Sequence, residues 1–207
     1  MRHVDPPNPP NDWQTLVFDK GCAWLNESTE NRNAKRPYPH WRAVRDQIGE
    51  AFNSICCYTV VYVPNGVTDH FVPWSKVSGT ADAFLAYQWS NIRYADGWIN
   101  SSKGDQPFPD PFAVEDNWFE LQLPSLELHA TGKHPPEQQQ AIDNLLKRVR
   151  NDERVMKVRR LYFAQYKTRE RSLKLVDREM PLLGRALRNN PSFLLPEDQV
   201  RLQEGTL

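Results

Sequence analysis

The chain has 207 residues, and its 26 Lys and Arg balance 26 Asp and Glu, so its formal net charge is zero. This length can bury a core without disulfide bonds, either as one domain or as a small catalytic module with helical additions. The three cysteines, Cys22, Cys56 and Cys57, include an adjacent pair that cannot easily bridge to itself. No apolar run is long enough to cross a bilayer, and no signal-peptide pattern is present. The sequence therefore predicts a soluble cytoplasmic protein, which is neither secreted nor inserted in a membrane.

The balanced charge hides an asymmetry along the chain. Residues 147–188 carry 14 Lys and Arg against 5 Asp and Glu, a net charge of +9, whereas residues 1–146 carry 11 against 18, a net charge of −7. The basic half is the natural place for phosphate contacts. A helix rich in Arg and Lys is also commonly just a solvated surface, so charge alone leaves both interpretations open.

The first predicted elements are an extended arm and a helix. The proline-rich run at residues 6–10 cannot be helical, because proline lacks the amide hydrogen and restrains the residue before it, and we expect residues 1–38 to form an arm. From Pro39 onward, apolar residues recur at steps of three and four, which predicts an amphipathic helix. They are Trp41, Val44, Ile48, Ala51, Phe52 and Ile55.

The next pattern predicts a β-hairpin. Residues 57–63 are rich in β-branched and aromatic types, Asn65-Gly66 is a strong turn signal, and residues 67–72 offer the returning strand, with His70 near its end. A loop over 73–83, a short strand over 92–95 and a helix over 97–103 should follow. The predicted order is therefore strand, loop, strand, helix.

The C-terminal region predicts helices. Residues 118–128 suggest an extended piece, and the pattern becomes helical beyond Pro136, with Asp152 well placed to cap a second helix. Pro181 should kink or divide a third helical stretch, because a proline inside a helix removes one hydrogen bond. The fold class is thus α+β, with helices outnumbering strands.

Four residues in the central segment suit phosphodiester hydrolysis, which needs a base to deprotonate water and a cation to absorb charge on the phosphate. Asp69 and His70 are adjacent, Asn91 precedes the short predicted strand, and Asn100 lies in the short predicted helix. Adjacent residues of a strand point to opposite faces, so one of the pair must use the strand end to reach a shared site.

Three motifs in this segment resemble the HNH endonucleases. They are Asp69-His70-Phe71-Val72-Pro73, Trp89-Ser90-Asn91 and Asn100-Ser101-Ser102-Lys103-Gly104. The wider chain is similar to bacterial HNH proteins related to the nuclease of Septu-type phage defence. The wider likeness includes the opening at residues 1–4, the helix at Trp41 and the Pro107-Phe108-Pro109 run.

The resemblance implies a small ββα-metal (HNH) finger with an N-terminal helix and a C-terminal helical region. In this interpretation His70 is the general base, Asn91 braces the loop that orients it, and Asp69 and Asn100 bind Mg²⁺ or Mn²⁺ through oxygen, which suits such hard cations. The expected units are an arm (1–38), the HNH module with its preceding helix (39–135) and a basic helical region (136–207). Lys76, Arg93 and Lys103 are candidate phosphate contacts, although any single one of them is more often just a surface charge.

The sequence departs from many HNH proteins at the zinc that holds their finger together. The two Cys-x-x-Cys pairs that bind it would fall here on Cys56 and Thr59 and on Asp96 and Ile99, so only one thiol remains. We therefore expect no structural zinc. Apolar packing should hold the hairpin instead, with these residues in the vacated space: Trp89, Trp98, Val61 and Val63.

The sequence supports three functions. The first is a metal-dependent DNA endonuclease in bacterial anti-phage defence, and the second is a nucleic-acid-binding or scaffold protein that no longer cuts. In the third, the basic helices dock a partner such as a defence ATPase, and cleavage occurs only in that complex. The sequence does not distinguish DNA from RNA, and it does not indicate an oligomeric state.

Overall fold

The protein is described by a computed structural model, which covers residues 1–206. In this part of the chain the α-helices are α1 (Asp19–Glu27), α2 (Thr29–Arg32), α3 (Arg45–Ala51), α4 (Trp74–Val77), α5 (Gly97–Lys103), α6 (Gln139–Val149), α7 (Glu153–Lys167), α8 (Leu173–Glu179), α9 (Pro181–Asn189) and α10 (Pro196–Gln203). The strands are β1 (Val67–His70), β2 (Ile92–Ala95), β3 (Phe119–Leu121) and β4 (Leu128–Ala130). This mixture agrees with the predicted α+β class.

The four strands form two separate antiparallel sheets of two strands each. β1 pairs with β2, and the register places His70 opposite Ile92 and Val67 opposite Ala95. β3 pairs with β4 as a second sheet. Because α5 begins two residues after β2, the strands and the helix follow in the predicted order. The loop predicted over 73–83 is wrong in part, since it contains α4 and the start of a 3₁₀ helix (Ala81–Tyr87).

The predicted hairpin at Asn65-Gly66 is wrong. Residues 57–63 form turns instead of a strand, apart from a single bridge between Ile55 and Tyr62, and β1 finds its partner across a long connection. The side chain of Tyr94 replaces the hairpin partner, because its hydroxyl accepts the Gly66 amide at 2.7 Å and donates to the Val63 carbonyl at 2.5 Å. A side chain 28 residues away therefore fixes the segment that precedes β1.

The N-terminal segment is more helical than predicted. The expected extended arm is wrong from Gln14 onward, where a π-helical turn (Gln14–Phe18) leads into α1 and α2. Trp13, Val17 and Leu25 lie on one side of this segment and are buried in a core cluster. The proline-rich opening keeps a non-helical backbone, as the missing amide hydrogens of proline require, and residues 34–38 are non-helical as well.

The helix expected from Pro39 is present in a shorter form, as a 3₁₀ turn (His40–Val44) followed by α3. Two C-terminal predictions are confirmed. The Asp152 carboxylate caps α7 by accepting the Arg154 and Val155 amides, and Pro181 separates α8 from α9.

One hydrophobic cluster joins the central segment to the C-terminal helices. It includes Ile99 of α5, Leu128 of β4, Ile142 of α6 and Leu182 of α9, all of which are buried. The predicted boundary at residue 135 therefore runs through a shared core. Within residues 1–206, no helix combines the length and the apolar character needed to cross a membrane.

Candidate functional site

His70 is held by one ring nitrogen at the end of β1. Its Nε2 lies 2.9 Å from the carbonyl oxygen of Ala86, and the Trp41 ring meets the imidazole edge-on at a centroid distance of 4.7 Å. Because a carbonyl oxygen can only accept, the neutral ring must carry its hydrogen on Nε2. The Nδ1 atom has no hydrogen-bond partner within residues 1–206, so its lone pair is left to accept a proton.

The surroundings of His70 favour the neutral imidazole. Burial lowers its pKa from the ordinary value of 6.5, and this outweighs the bond to Ala86 and the charge of Asp69, which act in the opposite direction. A neutral imidazole at physiological pH is the form that a general base needs.

Asp69 points to the other face of β1 and is buried with two protein partners. Its Oδ2 accepts a hydrogen bond from the Tyr58 hydroxyl, and its Oδ1 lies 3.1 Å from the Lys103 ammonium. Lys103 also lies 3.1 Å from the carbonyl oxygen of His70. The ammonium therefore links the last turn of α5 to the end of β1.

Asn91 braces the connection that carries the partner of His70. Its Oδ1 accepts the Val72 amide at 2.7 Å, and its Nδ2 donates to the carbonyls of Val72 and Leu85, each at 3.1 Å. The carbonyl of the next residue, Ala86, is the one that receives His70. Asn91 thus fixes both the end of β1 and the segment that carries the hydrogen-bond partner of His70.

Asn100 lies in the middle of α5 and is half-buried. Its main-chain amide bonds the Asp96 carbonyl, and within residues 1–206 its side-chain amide makes no hydrogen bond. The amide oxygen is therefore available, but it lies one helical turn from Lys103, the residue that occupies Asp69.

As arranged, these residues do not fit a divalent metal ion. Both oxygens of Asp69 already have partners, and one of those partners is a cation. Across the described chain, no group of three or more His, Cys, Asp or Glu could hold a metal ion. A metal bound by Asp69 and Asn100 stays a prediction, and it requires Lys103 to move.

Two of the three candidate phosphate contacts are buried. The Arg93 side chain is 2% exposed, its guanidinium bonds Asp110 at 2.7 Å, and it lies over the Phe112 ring. The Lys103 side chain is also 2% exposed. In this structure neither can meet a phosphate, because each is needed to neutralise a carboxylate inside the fold. Lys76, in α4, is exposed.

The positions that correspond to a zinc site lie close together. The amides of Thr59 and Asp96 face the sulfur of Cys56, and Ile99 lies in the same cluster as Cys56. Burial raises the pKa of the Cys56 thiol, as expected of a buried small apolar group. The four positions that the resemblance assigns to zinc ligands are thus occupied by packed side chains and main-chain amides.

The residues expected to replace the zinc are only partly the ones found. Trp98 and Val63 pack against the cluster that contains Cys56. Val61 also lies beside these positions, because its carbonyl accepts the Cys56 amide at 3.0 Å and it lines a cavity with Thr59, Asp96 and Trp98. Trp89 belongs to another cluster, so for this residue the predicted packing is wrong.

A basic groove, which sequence reasoning missed, lies between α5 and the junction of α6 and α7. It is a cavity of about 680 Å³, and Lys147, Arg148 and Arg150 contribute to its lining beside Ser102 and Trp98 of α5. Asp143 and Asp152 also line it, so its charge is mixed.

Two arginines extend the basic character of this groove. The Nε of Arg150 is buried without a hydrogen-bond partner, and the Arg154 guanidinium lies 4.9 Å from the centre of the Trp98 ring. The high density of Lys and Arg near residue 150 was visible in the sequence. The packing of this region against α5 was not.

Comparison with protein-family models, with curated proteins and with solved structures finds no match to this chain.

Proposed function

We propose that the chain is an HNH-type endonuclease that hydrolyses phosphodiester bonds of DNA, with His70 as the general base. The observation that supports this most strongly is the orientation of His70. Its Nε2 is committed to Ala86, its Nδ1 is free, and it ends the first strand of a strand, loop, strand and helix unit.

In the proposed reaction, Nδ1 of His70 takes a proton from a water molecule as the water oxygen bonds to phosphorus. The bond from phosphorus to the 3′ oxygen breaks, and that oxygen takes a proton from solvent, which leaves 5′-phosphate and 3′-hydroxyl ends. Asn91 holds the Leu85 carbonyl by a hydrogen bond, and the carbonyl of the next residue, Ala86, orients the imidazole. A divalent metal, when bound, would supply charge neutralisation at the phosphate.

The test is a plasmid-nicking assay with Mg²⁺, Mn²⁺ or EDTA on wild type, His70→Ala and His129→Ala. His129 is a matched control because it is also half-buried, and its imidazole bonds a single carboxylate, Glu127, away from the site. We expect metal-dependent nicking by wild type and His129→Ala and a loss of at least 100-fold, roughly the contribution of a general base, in His70→Ala. Equal cutting by all three proteins would contradict the proposal.

The second candidate is a nucleic-acid-binding or scaffold protein that does not cut. The ion pair between Asp69 and Lys103 favours it, because the cation nearest to His70 is buried and cannot reach a phosphate. This protein would bind DNA through the basic groove in the presence of EDTA and would leave plasmid intact in every metal.

The setting in anti-phage defence, with a partner ATPase, is proposed from the resemblance alone. Purification of the tagged chain from its native host tests it, since a partner should return in a fixed ratio. Recovery of the free chain alone counts against this partner.

A further inference from the structure

Trp98 lines two cavities that differ in their chemistry. One is the basic groove, and the other is a cavity of about 280 Å³ with mostly apolar walls, which include Tyr62, Val63 and Pro64. We call this second cavity the apolar pocket. Arg154 also lines it, with its guanidinium 4.9 Å from the centre of the Trp98 ring. Cationic and apolar binding space therefore meet at one aromatic side chain.

The cations of the basic groove are not used up by its carboxylates. The Asp143 carboxylate accepts the side-chain amide of Gln139 at 2.8 Å, and the Asp152 carboxylate caps α7. Within residues 1–206, Lys147 and Arg150 have no carboxylate partner, and Nε of Arg150 is buried without a hydrogen bond. A buried donor without an acceptor is unfavourable, so an anion that pairs with this guanidinium would stabilise the groove.

The walls of the groove are fixed by hydrogen bonds between helices. Nε of Arg148 donates to the Ser102 carbonyl of α5 at 2.9 Å, which ties α6 to α5. Arg159 of α7, which is 1% exposed, donates to the Arg150 carbonyl at 3.3 Å. The groove is therefore built before a ligand arrives, and this reduces the entropy cost of binding.

The apolar pocket suits a flat ring. The Tyr62 side chain is 41% exposed, and its main-chain amide is held by the Glu179 carbonyl at 2.7 Å. Nucleobases stack on aromatic rings and on arginine guanidinium planes, and both are present at this pocket. A phosphate site beside a site for a flat ring is the pattern that a nucleotide requires. In a duplex the bases are paired and stacked, so a base can enter such a pocket only after it has unpaired.

We propose that the basic groove and the apolar pocket together bind an unpaired stretch of DNA. Its phosphates lie at Lys147 and Arg150, and one of its bases stacks against Trp98 and Tyr62. Duplex DNA reaches this surface with its phosphates alone. The inference rests on the proposed function only in that the bound strand is the substrate, since none of these contacts involves His70.

The test is fluorescence anisotropy in EDTA, which prevents metal-dependent cutting. The labelled probes are a DNA single strand of mixed sequence, the same strand in a blunt duplex, and an abasic strand of equal length, which keeps the phosphates and lacks the bases. Thymidine monophosphate serves as an unlabelled competitor. The proteins are wild type, Trp98→Leu, Trp98→Phe and the control Trp24→Leu, since Trp24 is also half-buried and lies outside both cavities.

We expect wild type to bind the mixed-sequence single strand about tenfold more tightly than the duplex or the abasic strand, because only this probe offers a free base. Trp98→Leu should lose about fivefold or more of this affinity and bind the other two probes as wild type does. Trp98→Phe should keep most of the affinity, because it keeps an aromatic ring, and Trp24→Leu should be unchanged.

Two further variants separate the contributions of base and phosphate. Lys147→Ala/Arg150→Ala should weaken the binding of all three probes, because they share the phosphates. Tyr62→Ala removes a ring that is already partly exposed, so it should fold, and it should weaken the single strand alone. Circular dichroism shows whether each variant is folded, and Tyr62→Ala keeps the test decisive if Trp98→Leu is not.

Equal affinity of wild type for the single strand and the abasic strand would overturn the proposal, and so would equal losses in Tyr62→Ala and Trp24→Leu. Thymidine monophosphate that binds as tightly as the strand would replace it with a mononucleotide site. The two proposals fail separately. A preference for the unpaired strand without nicking would remove the nuclease alone, whereas nicking without that preference would remove this inference alone.

Discussion

The two ring nitrogens of His70 have different surroundings, and this sets the expected pH dependence. Burial lowers the pKa of the imidazole from 6.5, so the neutral base is populated at physiological pH. The nicking rate should rise with pH through a midpoint below 6.5 and then stay level at neutral pH. It is measured as initial nicking rate between about pH 5 and pH 8.

The free energy of unfolding should also decrease as the pH falls. Below pH 6.5 the unfolded chain takes up a proton at His70 more readily than the native protein, so this residue contributes stability that is lost as pH falls. Tryptophan fluorescence at each pH reports whether the protein is still folded, and so separates a change in nicking rate from a loss of folded protein. A rate midpoint above 6.5 with the fold intact would argue against His70 as the base.

The sequence predicted the secondary-structure elements of the candidate residues better than it predicted which side chains those residues contact. His70, Asn91 and Asn100 are found on the elements predicted for them, because short motifs fix local positions. The burial of Arg93 and Lys103 could not be predicted, because it depends on carboxylates 17 and 34 residues away in the chain. Charged residues are usually exposed, so a surface role was the natural expectation.

At the scale of elements, the turn before β1 offers a sharp test of the packing that replaced the predicted hairpin. A Cβ on Gly66 would lie 2.3 Å from Cζ of Tyr94, the ring whose hydroxyl anchors this turn. Gly66→Ala should therefore lower the free energy of unfolding by about 2 kcal/mol, as overpacking does. Urea unfolding measures the change.

Gly97→Ala is the matched control, because a Cβ at the first residue of α5 would meet only Cγ1 of Val67 at an ordinary 3.7 Å. It should be neutral or stabilise by about 0.5 kcal/mol, since alanine restricts the unfolded chain. Equal losses of stability in both variants would mean that Tyr94 does not determine this turn.

Elements with strong local signals were predicted well. β2 and α5 have the predicted bounds, and α7 begins at its acidic cap. The hairpin was wrong because its turn signal is local, whereas the segment is held by Tyr94 and by the bond from the Tyr62 amide to the Glu179 carbonyl. Such long-range contacts cannot be predicted from the spacing of apolar residues or from a turn motif.

At the scale of the whole molecule, much of the C-terminal positive charge is neutralised internally. Six of the 14 basic residues in 147–188 form ion pairs with carboxylates, and the buried guanidinium of Arg159 bonds main-chain carbonyls. Four of the six pair with carboxylates that are already counted in the net charge of +9. The partners of Arg169 and Arg185 are Glu197 and Asp116, which lie outside the segment, so +9 overstates what a phosphate would meet. Within residues 1–206, the basic residues without a carboxylate partner include four around the groove, namely Lys147, Arg148, Arg150 and Arg154.

The groove gives a prediction for DNA affinity. In a His70→Ala background, which removes the proposed general base, Lys147→Ala/Arg150→Ala should weaken DNA binding, because fewer phosphates are neutralised. The slope of log affinity against log salt concentration is negative, and its magnitude should decrease by about 1 for each phosphate that the variant no longer binds. Fluorescence anisotropy over a range of salt concentrations measures both quantities.

Lys174→Ala, which removes an exposed lysine outside the groove, should leave the slope unchanged. A slope that is also unchanged in Lys147→Ala/Arg150→Ala would place the phosphate-binding residues elsewhere. Point substitutions are preferable to removing the basic helices, because α6 and α9 supply part of the shared core and deleting them would unfold the rest.

That shared core also bears on how such a protein can evolve. The strand, loop, strand and helix unit is one continuous stretch of sequence, but the buried face of its helix is completed by Ile142 and Leu182, from outside that stretch. Recombination that moved the unit into another gene would leave apolar surface uncovered in both the donor and the recipient. We therefore expect this lineage to diversify by substitutions along the exposed groove, and to inherit the strand, loop, strand and helix unit and its C-terminal helices together.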